Sequence, residues 1–215
     1  MLTFIIDPST LKIDDQSNIR IMGKETTKAT LLETGKRIIL EKGYNHTGIQ
    51  EVLQTAGVPK GSFYYYFNSK EDFGLQVINC YAQEYNSKLD IYLSDKTLTP
   101  LNRLRRYFED ASKQFESLQC RKGCPIGNLG QELADQSEAF RSTIEEILTE
   151  WRGRFAECLQ QAQDAGEIPS HLDPQVLAEF ILSSWEGAIL RAKVTKNTAP
   201  LQVFIKLVFE QTLKG

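Results

Sequence analysis

The stretch from Thr47 to Lys70 constrains the fold more than any other, because it predicts two short helices separated by a tight turn. In its first half, apolar residues recur at three- and four-residue steps, which is typical of an amphipathic helix: Ile49, Val52, Leu53 and Ala56. Gly57 ends that helix, since glycine readily adopts the left-handed conformation of a tight turn. Pro59 then starts a second helix in its first turn, where a missing amide donor costs nothing. The pattern predicts a helix-turn-helix over about 47–66, whose second helix can enter the major groove of DNA.

The second helix of this unit is dense in aromatic residues. Phe63 and Phe67 are four positions apart, so both are predicted to point inward. The other side chains fall largely on the exposed surface: Lys60, Ser62, Tyr64, Tyr65 and Tyr66. Three consecutive tyrosines are too many for the core of so short a helix, and their hydroxyl groups can hydrogen-bond phosphate oxygens. We therefore expect this surface to contact DNA.

The segment Gly57–Phe67 reads Gly-Val-Pro-Lys-Gly-Ser-Phe-Tyr-Tyr-Tyr-Phe and is followed by Ser69-Lys70-Glu71. This long, ordered motif resembles the DNA-binding signature of the TetR-type transcriptional repressors. The resemblance implies an all-α protein, in which a three-helix head is joined by a long fourth helix to a helical regulatory and dimerisation body. It also implies a homodimer that binds a palindromic operator and is released by a small-molecule or electrophile effector.

The resemblance assigns DNA contacts around the recognition helix, whose first residues usually face the bases. Thr47 heads the first helix, where its side chain can cap the helix and its amide can meet a phosphate. Gln50 lies where relatives contact a base, and glutamine can pair with adenine; equally, it could close a capping box by reaching back to Thr47. Tyr66 replaces a frequent histidine and can still donate to a phosphate. Lys70 is expected to clamp a phosphate, with an ordinary solvated lysine as the alternative.

The charge distribution also favours a DNA-binding head. The chain of 215 residues has a net charge of −3. Residues 24–70 nevertheless carry seven Lys or Arg against four Glu, whereas residues 71–215 carry sixteen against twenty-one Asp or Glu. A basic patch on an otherwise acidic chain is the electrostatic footprint of a protein that binds nucleic acid locally. A DNA-architectural protein, the alternative, would spread positive charge along the chain.

Three segments are predicted from these patterns. Residues 1–23 have no sustained period and are expected to form a flexible extension. We name residues 24–84 the head and residues 85–215 the body. Since Met22 and the residues after it resemble the usual start of the family, we also expect translation to begin there. The apolar start of the chain meets Asp7 too soon for a signal peptide, and no run is long enough for a membrane span, so we expect a cytoplasmic protein.

Helix boundaries are predicted from capping signals. The first helix should run from a Thr26 or Thr27 cap to Lys42, with Gly43 as its C-terminal stop. Ser69, with Asp72 as its capping partner, should start the long fourth helix. Later starts are marked at Thr99-Pro100, Ser137, Asp173-Pro174 and Pro200, and a short helix is expected over about 129–134. No segment alternates convincingly as a strand.

The last two predicted helices carry more apolar positions than one buried face requires. They are either central helices of the body or the surface that pairs with a second copy. In the family that the chain resembles, these helices pair across a two-fold axis as a four-helix bundle. Gly187 and Ala188 would permit close approach, and Val208 or Phe209 are candidate positions at the seam.

The loop from Cys120 to Asn128 is the main candidate for an effector site. Cys124 follows Arg121 and Lys122, and nearby positive charge with exposure lowers the pKa of a thiol. With the downstream run Trp185–Lys193, this loop resembles the TetR-type subgroup that includes repressors sensing electrophiles and reactive chlorine. That resemblance makes Cys124 the sensing position, Lys193 a partner for its oxidised form and Trp185 part of the site. Cys120 offers a competing disulfide route.

Other classes of function find less support. The alternative for Cys124 is a small buried residue at a tight turn, with a conventional ligand bound elsewhere in the body. A thiol enzyme is disfavoured, because neither His46 nor His171 has a motif that links it to Cys124. No phosphate-binding loop, paired-carboxylate signature or metal-ligand spacing occurs, so we expect no cofactor and no metal.

Overall fold

The structure, a computed structural model, describes residues 15–214, and side-chain surroundings from residue 26 onward. All regular structure in this range is helical. In chain order the first elements are α1 (Asp15–Lys42), α2 (Ile49–Ala56), a 3-10 turn (Lys60–Ser62), α3 (Phe63–Tyr66) and α4 (Lys70–Leu93). The head contains most of α1, all of the next three elements and the start of α4. The body adds α5 (Pro100–Ser117), α6 (Pro125–Leu133), α7 (Glu138–Asp164), α8 (Pro174–Thr195) and α9 (Ala199–Leu207), which continues into a π turn (Val208–Thr212). The predicted all-α class is confirmed.

Aromatic rings form the core of the head. Phe63 and Phe67 are buried, as predicted, and both pack against Phe73 of α4 with ring centroids 5.5 and 4.9 Å away. Gly35 of α1 lies over the same ring, where an added Cβ would be 2.2 Å from Phe73 Cζ. The absence of a side chain at Gly35 thus allows α1 to pack closely on α4.

The long α4 helix starts where the sequence predicts and joins the head to the body. Ser69 Oγ accepts a 3.0 Å hydrogen bond from the Asp72 amide, and the Asp72 carboxylate accepts one of 2.8 Å from the Asn68 amide. The predicted capping pair is confirmed. The helix packs on α1 in the head and on α5 and α7 in the body.

The body is built around α8, which packs against α7 on one side and α9 on the other. Trp185 of α8 contacts Phe108 of α5 and Phe204 of α9, with ring centroids 4.9 and 5.1 Å apart. The predicted starts are confirmed at α5, α7 and α8; Ser137 caps α7, and Asp173 accepts a 2.8 Å hydrogen bond from the Gln175 amide.

Two predicted boundaries are wrong. α1 begins at Asp15 rather than at a Thr26 or Thr27 cap, so residues 15–23 of the expected extension are helical. The rest of the extension lies outside the described residues. α6 begins at Pro125 rather than near residue 129, because Cys124 serves as its N-cap.

An apolar stripe remains uncovered on α8 and α9. It consists of large side chains that are each at least 44% exposed: Val176, Phe180, Leu190, Val194, Val203 and Leu207. Val208 and Phe209, the two positions expected at a seam, are instead 2% and 1% exposed and belong to the core of the subunit. The π turn that follows α9 directs them inward.

Candidate DNA interface and effector cavity

The outer face of the 3-10 turn and α3 presents most of the residues predicted to contact DNA. Tyr64 and Tyr65 are 70% and 63% exposed, and Lys60 is also exposed. Ser62 and Tyr66 are half-buried at the edges of this face. Because Phe63 and Phe67 anchor α3 from beneath, the tyrosine rings project from a fixed support. The face therefore offers hydroxyl and ammonium donors at the surface of the head.

Thr47 does not act as predicted. Its side chain is buried and donates a 2.7 Å hydrogen bond to the Gly43 carbonyl, while its amide donates to the Tyr44 carbonyl at 3.0 Å. The N-cap of α2 is Gly48. Thr47 thus closes the turn after α1, and neither its side chain nor its amide faces outward. The capping box with Gln50 is also wrong, because the Thr47 amide that Gln50 would reach already donates to Tyr44. The contact of the exposed Gln50 with a base stays a prediction.

Lys70 is not an ordinary solvated lysine. Its side chain is half-buried, with Nζ 4.5 Å from the Tyr44 ring centroid and 3.5 Å from the Asn45 carbonyl oxygen. Burial lowers the pKa of Lys70 from its ordinary value. The ammonium group is thus held near the turn between α1 and α2, and its role as a phosphate clamp stays a prediction.

The body contains a cavity of about 270 Å³ between α4, α5, α8 and the start of α6. Aromatic side chains make up much of its wall: Tyr81, Tyr85, Tyr107, Phe115 and Trp185. Cys124 and Glu186 also border it. The sequence predicted Cys124 and Trp185 for an effector site, and the structure brings them to the same cavity. Cys120 and Lys193 lie outside its wall among the described residues.

Cys124 is buried, which contradicts the expectation of an exposed thiol of low pKa. Its Sγ accepts a 3.5 Å hydrogen bond from the Gly127 amide at the N-terminus of α6. Burial and the nearby Glu186 carboxylate raise the pKa of the Cys124 thiol, and the amides of Gly127 and Ile126 only partly oppose this. Arg121 and Lys122 are exposed, so their charges are screened by water instead of reaching the thiol.

The loop that precedes Cys124 has a strained backbone. Gln119, Cys120 and Lys122 have φ values of 55°, 51° and 73°, in the left-handed region that L-residues rarely adopt. Cys120 is buried as a free thiol. Lys193 reaches this loop from α8, with Nζ 3.4 Å from Asn128 Oδ1. Lys193 and Cys124 therefore flank the same turn.

The far end of α6 is attached to the head. The Glu132 carboxylate accepts hydrogen bonds from the amides of Tyr44 and Asn45, at 3.0 and 2.7 Å. Tyr44 also meets Phe140 of α7 edge-on, with ring centroids 4.9 Å apart. Gly74 of α4 lies against both rings, since an added Cβ would be 2.5 Å from Tyr44 and 2.7 Å from Phe140. α6 thus has Cys124 at one end and a contact with the head at the other.

Glu186 and Glu132 are functional candidates that were not predicted from the sequence. Burial raises the pKa of Glu186, although its hydrogen bond with Cys124 acts in the opposite direction. The signal for Glu186 was a carboxyl between Trp185 and Gly187 in a largely apolar helix. Glu132 had no such signal, because its partners are backbone amides distant in sequence.

Among residues 15–214, no group of three or more His, Cys, Asp or Glu could hold a metal ion. Within the same range, no helix has both the length and the apolar character needed to cross a membrane.

Similarity to known proteins identifies the family. Residues 31–77 match the model for bacterial regulatory proteins of the tetR family, and residues 100–208 match the model for the tetracyclin repressor-like C-terminal domain. The chain is 36% identical over 192 residues to the transcriptional repressor DhaR of Mycobacterium sp. strain GP1, covering 89% of this chain and 95% of DhaR. It is 41% identical over 177 residues to the transcriptional regulator AcuR of Cereibacter sphaeroides, covering 82% and 81%.

A solved structure agrees with these matches. The reduced form of NemR from E. coli superposes with a TM-score of 0.80 at 29% identity, covering 86% of this chain and 97% of that one. All these relatives are regulators, which confirms the expectation that the protein is not an enzyme. The protein belongs to the TetR family of DNA-binding transcriptional repressors.

Proposed function

We propose that the protein is a homodimeric repressor, which binds a two-fold operator through α3 and releases it when an effector occupies the cavity of the body. The head would bind DNA, and the body would sense the effector and dimerise, with residues preceding the head as an extension. Because a repressor has to reach its DNA, the protein would act in the cytoplasm. The expected DNA contacts are Gln50, Lys60, Ser62, Tyr64, Tyr65, Tyr66 and Lys70.

The exposed stripe on α8 and α9 supports the homodimer. Large apolar side chains seldom form a contiguous exposed patch on a monomer, and such patches mark protein interfaces. A second copy that presents the same stripe would cover it in an isologous contact. Gly187 is exposed within α8 and would let the two helices approach closely. A dimer also gives two heads for the two halves of an operator.

The position of Cys124 carries the proposal for the effector. Cys124 borders the cavity and caps α6, and the same helix holds the turn after α1 through Glu132. A group added to the thiol would change the polarity and volume of the cap. This change would displace α6 and, through Glu132, the head. The solved structure of the relative NemR is of a reduced form, which supports a role for oxidation state in this chain as well.

Two routes could stabilise the modified thiol. An oxidised Cys124, as a sulfenic acid, could condense with the Lys193 amine, forming an S–N bond with loss of water. Alternatively, Cys120 could attack the sulfenic acid, forming a disulfide with loss of water. Lys193 lies at the Gly123–Asn128 turn, and Cys120 lies on the strained loop before it.

A conventional ligand is the second candidate effector, and the burial of Cys124 favours it. A buried thiol of raised pKa reacts slowly, whereas a mainly aromatic cavity suits a small apolar molecule. In that case Cys124 would serve only as the cap of α6.

Operator release distinguishes the two effectors. Binding-site selection with the purified protein first supplies the operator. Its affinity is then measured before and after a quinone or mild hypochlorite, in wild type and in Cys124→Ser, Cys120→Ser and Lys193→Ala. Wild type should release the operator and Cys124→Ser should retain it, while the other two variants separate the disulfide from the lysine route. The half-buried Cys80 provides the control Cys80→Ser. Release in Cys124→Ser at the wild-type level would make the thiol structural.

A further inference from the structure

The carboxyl group of Glu186 lies beside the Cys124 thiol at the first turn of α6. A Cβ added to Gly127 would be 2.3 Å from Glu186 Oε2 and 3.7 Å from Cys124 Cβ, so both groups meet over this glycine. Both border the 270 Å³ cavity. We propose that Glu186 accepts the proton of Cys124 when the thiol reacts with an electrophile in that cavity. This inference rests on the proposed role of Cys124.

The buried setting explains why the thiol needs a proton acceptor. The thiolate is the nucleophile, yet burial disfavours a negative charge on Sγ. A carboxylate in hydrogen-bonding contact can take the proton while the new bond forms, so an isolated buried thiolate is never required. With iodoacetamide, for example, an S–C bond forms, the C–I bond breaks, iodide leaves and the thiol proton moves to Glu186. Glu186 becomes neutral in this step, and the negative charge is carried away by the iodide ion.

The other titratable groups in the cavity wall are less suited to this role. Tyr81 and Tyr85 of α4 and Tyr107 of α5 stay protonated, because burial raises the pKa of each phenol. Glu84 is exposed and is paired with Lys36 at 2.8 Å.

Four more charged groups lie nearby without replacing Glu186. Lys88 of α4 is a cation and contacts Gln114. On the opposite side of Glu186, a second cavity of about 530 Å³ is bordered by Glu145 and Arg152 of α7 and by Glu179 of α8. Arg152 pairs with Glu179 at 3.3 Å. Among these groups, the acid that contacts the thiol is Glu186.

Gly127 keeps the carboxyl in place. Because any Cβ at this position would collide with Glu186 Oε2, Gly127→Ala should push the carboxyl away from the thiol without removing it. Gly130 provides the matched control, since it lies on the same helix and an added Cβ would be 3.7 Å from Ile144 Cγ2, an ordinary contact. Both substitutions replace a helical glycine with alanine, which favours the helix.

The test is the rate at which iodoacetamide alkylates Cys124 between pH 6 and 9, followed by peptide mass spectrometry to separate the four cysteines. Wild type, Glu186→Gln, Glu84→Gln, Gly127→Ala and Gly130→Ala are compared, and far-UV circular dichroism monitors folding. At neutral pH, Glu186→Gln should react about 100-fold more slowly than wild type, at the lower end of what general bases contribute. Its rate should rise about tenfold per pH unit, since it then follows the thiolate fraction. Glu84→Gln and Gly130→Ala should match wild type.

A purely electrostatic role predicts the opposite sign. The negative charge of Glu186 raises the pKa of Cys124, so removing that charge alone would speed alkylation. An equal or faster rate in Glu186→Gln would overturn the proposal. If Glu186→Gln does not fold, the alkylation rates of Gly127→Ala and Gly130→Ala are compared instead. Equal rates in these two variants would refute the proposal. The assay uses no operator, so it is independent of whether Cys124 controls DNA release.

Discussion

Glu132 accepts a 2.7 Å hydrogen bond from the backbone amide of Asn45, which ties the last turn of α6 to the turn between α1 and α2. The same carboxylate accepts the amide of Tyr44, so one side chain satisfies two backbone donors of the head. Gly43, with φ of 87°, leaves room for it, since an added Cβ would be 2.9 Å from Glu132 Oε2. The contact is thus specified on both sides.

We expect Glu132→Gln to weaken the coupling between effector and operator. An amide oxygen can accept one of the two hydrogen bonds, but its NH₂ group would face the second donor. A hydrogen bond to a charged group contributes about 1.5–3 kcal/mol. The variant should lose about 1–3 kcal/mol of stability to urea, and an effector should change operator affinity less than it does in wild type. Asp135→Asn is the control, as it removes one exposed charge close by. Equal losses in both variants would argue against a specific contact.

The dimer interface should be formed by the exposed stripe on α8 and α9, because Val208 and Phe209 are buried within the subunit. Val203→Glu or Leu207→Glu should place an unpaired charge in the interface, at a cost of several kcal/mol. We expect the dissociation constant to rise by about 100-fold or more. Sedimentation velocity at low micromolar concentration should show dimers for wild type and monomers for both variants. Ile91→Glu, at a 72% exposed position on α4, is the control and should stay dimeric. A monomeric wild type would refute the interface.

For the DNA interface, Lys60→Ala and Tyr64→Ala should weaken operator binding. Loss of one phosphate contact by Lys60→Ala should lower the slope of log affinity against log salt by about one. Tyr64→Ala, which removes no charge, should leave that slope nearly unchanged. Fluorescence anisotropy over a salt series measures both quantities. Lys96→Ala, exposed on the body, should bind as wild type does. Wild-type affinity in both head variants would exclude this face of α3.

Glu186 gives a prediction for the pH dependence of stability. Burial raises the pKa of Glu186 in the folded protein above its ordinary value of 4.5. The unfolded chain then releases this proton more readily, so wild-type stability should fall as pH rises from about 4.5 through the folded pKa. Glu186→Gln lacks that decline, and its stability relative to wild type should be higher at pH 8 than at pH 4. Urea unfolding at the two values measures the difference, with Glu146→Gln on the exposed face of α7 as the control. A difference independent of pH would mean that Glu186 titrates normally.

Much of the fold could be predicted because its signals are local. Ser69 and Asp72 lie three positions apart and form their cap within one turn of helix, so the sequence suffices to find them. The start of α1 was missed because Thr26 and Thr27, which have side chains typical of a helix cap, lie inside the helix.

The candidate site depends more on tertiary structure. Arg121 and Lys122 precede Cys124 in the sequence, but the fold exposes both and buries the thiol beside Glu186 of a distant helix. Thr47 is likewise a residue type typical of helix caps, yet its hydroxyl donates a hydrogen bond to the Gly43 carbonyl in the preceding turn. Local spacing indicates which residues can serve a role; it does not determine how water and charge are distributed around them.

The contact at Gly74 has a consequence for how sharply the protein can switch. At this point the rings of Tyr44 and Phe140 meet over bare backbone, because Gly74 contributes no side chain that could yield by degrees. Closely packed surfaces change between discrete arrangements rather than deforming continuously. The joint between head and body should therefore favour an all-or-none response, in which intermediate effector concentrations change the proportion of molecules in each state and not the angle of every head.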